Sequence, residues 1–196
     1  MSGPLIKIAA SNLAEIAARI QSGPEAAAVL VGLADVPAAL LALEHGGFLI
    51  EATRLVAHAL PKREAVWWAC MCADHTVLPD LSDDDRAARH NAELWVRKQT
   101  DEIRRTAMAH AQAAGLTSPE AWAAVGAFWS GDSMSPLGQP LVPPAAHLAG
   151  TAVAGSVALA SVRGDVLRQM GRLSQFLASG REIATGGQGR LAHEYA

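Results

Sequence analysis

The chain has 196 residues, is 51% hydrophobic by count and carries a formal net charge of -3. That length suits one domain with a core large enough to need no disulfide staples, and the slight acidity excludes the strong basic excess of a nucleic-acid binder. Alanine makes up more than a fifth of the residues and loses no side-chain entropy in a helix, while valine and isoleucine do not alternate, so an all-α fold without strands is expected.

The first twenty residues lack the charged start, unbroken apolar run and small-residue cleavage site of a secretory signal. Cys70 and Cys72 are the only cysteines and form no disulfide framework, so a reducing, cytoplasmic compartment is expected. Ser11 or Asn12 caps a first helix running to about Gln21, and Pro24 opens a second, where its missing N–H costs nothing. Asp35 caps a third helix, closed by Gly46-Gly47, and the apolar positions Phe48, Leu49, Ala52, Leu55, Val56 and Ala59 give a fourth over 48–60.

Pro61 opens the fifth helix, PKREAVWWACMCADH, in which Ala65 to Ala73 are nine consecutive apolar residues. A helix apolar all round must be surrounded, so it belongs at the centre of the fold. Ser82 followed by Asp83, Asp84 and Asp85 marks a strong helix start. The pattern then predicts one helix to about Ala114, roughly 33 residues and about 50 Å long. Its packed stripe would run through Ala88, Ala92, Trp95, Gln99, Ile103, Ala107, His110 and Ala114, with Glu93–Arg97 and Asp101–Arg105 pairs outside.

Ser118-Pro119-Glu120 starts a further helix ending near Trp129. Residues 131–144, GDSMSPLGQPLVPP, read as a long loop rich in Gly, Pro and Ser. Residues 145–162 carry no formal charge, but their His, Ser, Thr and many alanines suit a buried helix better than a membrane span. Val166, Leu167, Met170, Leu173, Phe176 and Leu177 line a last helix. Residues 1–184 are therefore expected as a single helical domain of about eight or nine helices, with solenoid-like pairs around the central one. Residues 185–196 read as a flexible tail.

No motif for catalysis stands out. Cys70 and Cys72, two apart on a helix, point about 200° away from each other and cannot easily share a metal. Cys72 and His75 share a face, but His58 or His90 would be needed for a third ligand, and no zinc spacing appears. His90 and Glu93 reverse the order used in di-iron bundles. Gly186-Gly187-Gln188-Gly189 follows no strand and is not a phosphate loop. No cofactor or metal is expected.

The stretch from Pro61 to His75, together with the Pro-rich run before Ala145 and His147, resembles a family of small all-helical proteobacterial proteins of unknown function, associated with type VI secretion gene clusters. The resemblance implies a cytoplasmic accessory role, such as an adaptor or loading chaperone, and carries over no catalytic residue.

The leading expectation is thus a non-catalytic, protein-binding adaptor, with neither nucleic acid nor membrane as partner. Its partner surface would be the 131–144 loop, with Met134, Leu137 and Pro140, beside Trp122 and Trp129, which are seven apart on one helix face. One of those two tryptophans is expected to reach the partner. The alternatives are an enzyme or small-ligand binder with a pocket near Glu64, Trp68 and His75, and a structural subunit that forms homo-oligomers through the 83–114 helix.

Overall fold

Capping side chains and prolines mark where the helices start. Asp35, Ser82, Thr100 and Ser118 each accept a hydrogen bond from the backbone N–H three residues on, satisfying a donor that a helix start leaves open. The computed structural model describes residues 5–8 and 13–194; the cap expected at Ser11 or Asn12 lies outside the described residues. Among the described residues there are ten α-helices and no strand. They are α1 (Leu13–Arg19), α2 (Pro24–Leu30), α3 (Val36–His45), α4 (Leu49–Ala59), α5 (Lys62–His75), α6 (Asp83–Lys98), α7 (Asp101–Ala113), α8 (Pro119–Trp129), α9 (Leu148–Val162) and α10 (Gln169–Ala184). A short 3-10 turn, Val166–Arg168, leads into α10.

The apolar run of α5 does place it at the centre. Val66, Trp68, Ala69, Cys70 and Cys72 are fully buried, and α4, α6, α8, α9 and α10 all pack on this helix. Consecutive helices stack at the start of the chain, α2 on α3 and α3 on α4, and again from α6 to α9. In a true solenoid each unit touches only its neighbours. Here α4 also packs on α9 and α10, closing the array into one bundle.

The single long helix expected over 83–114 is two helices. Gln99 adopts a left-handed conformation (φ 51°) and ends α6, and Thr100 caps α7 through Ile103 N–H at 3.4 Å. The chain folds back, so that His110 Nδ1 lies 3.4 Å from Asp84 near the other end of α6. The expected stripe is therefore split. Ala88, Ala92, Trp95 and Ala107 are buried, while Gln99 is exposed at the turn. No single 50 Å helix face runs over residues 83–114.

Residues 145–162 supply α9, which packs on α4, α5, α8 and α10. Among the described residues no helix is long and apolar enough to cross a membrane. Gly150 permits the crossing with α4, because a Cβ there would fall 2.3 Å from His58 Nδ1. Burial, and then the charges of Arg19 and His147, push the His58 pKa from an ordinary 6.5 down to about 4. Between those values the unfolded chain binds more protons than the folded one. This contribution to stability is complete above about pH 6.5 and is lost as pH falls towards 4. Urea midpoints measured from pH 7 to 4 should fall more steeply for the wild type than for His58→Gln; parallel curves would reject the assignment.

Candidate functional site

Glu64, Trp68 and His75 share one face of α5, since their spacings of four and seven are near whole turns. They do not share a pocket. Glu64 and His75 are about 16 Å apart along the axis, and α10 lies over the face between them. Trp68 is fully buried and its Nε1 donates to Phe176 O at 2.8 Å. The Phe176 ring meets His75 edge-on at 5.8 Å, and His75 Nδ1 hydrogen-bonds Ala192 O. Glu64 accepts from Arg63 at 3.0 Å and lies 3.6 Å from Lys7. Burial alone would raise its pKa. The Arg63 hydrogen bond, the residue's own backbone N–H and the charges of Arg63 and Lys7 outweigh that and hold the carboxyl below its ordinary value. Glu64 is thus paired as a counter-ion to Arg63 and Lys7.

Residues 185–194, expected as a free tail, lie against the body. Trp67 Nε1 donates to Gln188 O at 2.7 Å and Ser179 Oγ to Gly189 O at 2.5 Å. Glu194 N–H donates to His75 O at 2.8 Å, and the Glu194 carboxylate accepts from buried Arg172, 2.6 Å from its Nη2. On the other side of the chain, Lys7 N–H donates to Ala184 O at 2.8 Å. Residues of both segments border an open cleft of about 270 Å³ at the start of α5. Lys7, Arg63, Glu64, Trp67, Arg97 and Arg190 line it, with Val96 and Ile183 as apolar lining. The Arg190 guanidinium sits over the Trp67 ring at 5.7 Å.

The 131–144 loop is closed at its neck. The buried Ser133 hydroxyl accepts from the N–H groups of Ser135 and Val142, each at 3.1 Å, and Met134 N–H donates to Val142 O at 2.8 Å. Arg105, paired with Asp101, donates to Ser135 O at 2.7 Å. At the tip, Gln139 N–H donates to Pro136 O and Gly138 takes a φ of 81°, a turn that favours glycine. Leu137 and Leu141 are left 76% and 75% exposed, with Pro140 and Val142 beside them in solvent, while Met134 is half-buried at the neck. Trp122 and Trp129 meet edge-to-face at 6.5 Å and both are half-buried. Trp122 lies on α9 where Gly155 leaves room for it, and donates to Leu116 O at 2.9 Å. The pair is therefore largely spent on packing, and within the expected partner surface it is the loop leucines that stand in solvent.

A model of a family of unknown function, DUF6931, matches residues 39–184. The chain belongs to the DUF6931 family. No curated protein and no solved structure matches it. The match takes in α4 to α10, the loop, and the cleft residues Arg63, Glu64, Trp67 and Arg97. Lys7, Gln188 and Arg190 lie outside it.

Sequence reasoning about this DUF6931 chain missed the cleft because its walls are far apart in the chain. One local signal was available in Trp67, half-exposed beside the fully buried Trp68. Another was misread. Glu93 lies 3.9 Å from Arg89, not against Arg97, which turns to the cleft instead. Cys70 and Cys72 are both fully buried. Burial, with the Glu93 charge behind it, pushes the Cys70 thiol well above its ordinary value, and burial followed by Cys70 does the same for Cys72. Such thiols are poor nucleophiles. Among the described residues no group of three or more His, Cys, Asp or Glu is placed to hold a metal.

Proposed function

We propose that this chain is a protein-binding accessory protein, an adaptor or chaperone-like factor without catalysis, which engages a different protein through the tip of the 131–144 loop. The observation that carries this reading is the pair of solvent-facing leucines, Leu137 and Leu141, on a loop whose neck is fixed by Ser133 and Arg105. Apolar side chains fixed in water lose little freedom on binding, so their burial is available for affinity. No Asp, Glu, Lys or Arg occurs from Ser133 to Val162, so the partner chemistry that fits is an uncharged apolar pocket. The resemblance at Pro61–His75 supports a setting in the bacterial cytoplasm, in service of a type VI secretion system.

The test uses a partner identified by crosslinking in the native host and then purified. The double variant Leu137→Ser, Leu141→Ser should bind it at least about tenfold more weakly, a loss of about 1.4 kcal/mol. Its melting temperature should not change, because both side chains stand in solvent. Unchanged affinity rejects the loop as the binding element. A concentration-dependent dimer abolished by the same variant would make the partner a second copy and overturn the adaptor reading.

A further inference from the structure

We propose that the cleft at the start of α5 is a binding site for a small oxyanion of two or more charges, a phosphate ester or a di- or tricarboxylate. The proposal is independent of the loop. Four cationic side chains, Lys7, Arg63, Arg97 and Arg190, face one carboxylate, Glu64. That leaves three positive charges unbalanced within a chain whose formal net charge is -3.

The charges are not equally available. Glu64 holds Arg63 at 3.0 Å and Lys7 at 3.6 Å. Arg97 and Arg190 pair with no carboxylate among the described residues. Arg190 is held in place: its Nε donates to the Gln188 side-chain oxygen at 2.8 Å and its guanidinium lies over Trp67. Trp67 is fixed in turn by its bond to Gln188 O. A planar fork fixed over an aromatic ring is the arrangement that favours bidentate recognition of carboxylate or phosphate. Val96 and Ile183 add apolar surface to the lining of the cleft. At about 270 Å³ the space suits a small metabolite, not an extended polymer.

Glu64 is the built-in competitor. It neutralises Lys7 and Arg63 while the cleft is empty and opposes an incoming anion, so its removal should tighten binding.

Isothermal titration of the full chain at low ionic strength, with pyrophosphate and with citrate as probes, tests the proposal. One of the two should bind one-to-one with a Kd below about 1 mM and weaken as salt is raised. The tighter probe identifies phosphate or carboxylate chemistry. Arg97→Gln should raise that Kd about tenfold or more with no change in melting temperature, because the side chain is exposed. Arg190→Gln should also raise it, and Glu64→Gln should lower it. No binding below about 1 mM by either probe overturns the site, as does an Arg97→Gln variant that binds like the wild type.

Discussion

Replacing Glu120 by glutamine should destabilise the fold by about 3–5 kcal/mol, a fall in melting temperature on the order of 10 °C. Glu120 has no exposed surface and stands in the first turn of α8, where the helix dipole favours a carboxylate. It meets Arg163 with both oxygens, at 2.9 Å for Oε1 and closer for Oε2. Arg163 Nη1 also donates to Ala73 O and Thr76 O, at 3.3 and 3.4 Å, where α5 ends. One ion pair therefore joins the start of α8, the end of α9 and the end of α5. Glutamine keeps the shape and removes the charge, leaving a guanidinium buried without its counter-ion. The double variant Glu120→Leu, Arg163→Met removes both charges and should recover most of the loss. Urea unfolding of the three proteins decides this, and a Glu120→Gln midpoint equal to the wild type would show that the pair contributes nothing.

Ending the chain at Thr185 should destabilise it at least as much, by about 3–5 kcal/mol or more. A free tail would give no change. Arg172, with a side chain only 1% exposed, loses its counter-ion Glu194. The hydrogen bond from Arg172 is the largest influence holding the Glu194 carboxyl below its ordinary range, against the opposing effect of burial. The same cut removes the acceptors used by Trp67, Ser179 and His75. Ser179 and His75, both buried, lose satisfied partners, each at a cost of about 1–3 kcal/mol where water does not replace them. Glu194→Gln should reproduce part of the loss without shortening the chain. A truncated protein that melts with the wild type would show the segment to be dispensable.

Local chemistry was legible in the sequence wherever one residue could announce it. Asp35, Ser82 and Ser118 announced helix starts, and the run from Ala65 to Ala73 announced a surrounded helix. The break at Gln99 was hidden because apolar periodicity continues across it. The signal was nevertheless present in reverse order of expectation: Arg97-Lys98 are basic residues suited to a last turn, and Thr100-Asp101-Glu102 is a cap with an acidic first turn. Residues 185–194 were misread because their glycines suggest freedom, while the contacts that hold them reach back to Arg172, Ser179, His75 and Trp67. The cleft draws on four separate stretches of chain, and no spacing rule within one stretch could assemble it.

Helices α8 and α9 pack on each other and are rich in buried alanines, Ala121, Ala123, Ala124 and Ala127 in α8 and Ala149, Ala152 and Ala160 in α9, which fill the seams with each other and with their neighbours. Gly126 stands between them, where a Cβ would come within 3.3 Å of Val153. A methyl group leaves evolution almost nowhere to go. Shrinking to glycine costs about 1 kcal/mol in a helix, and growth at a fully buried position overpacks the neighbours. Single-step drift is therefore blocked there, and inherited variation at these seams should come as matched exchanges, one helix gaining the volume that its neighbour gives up.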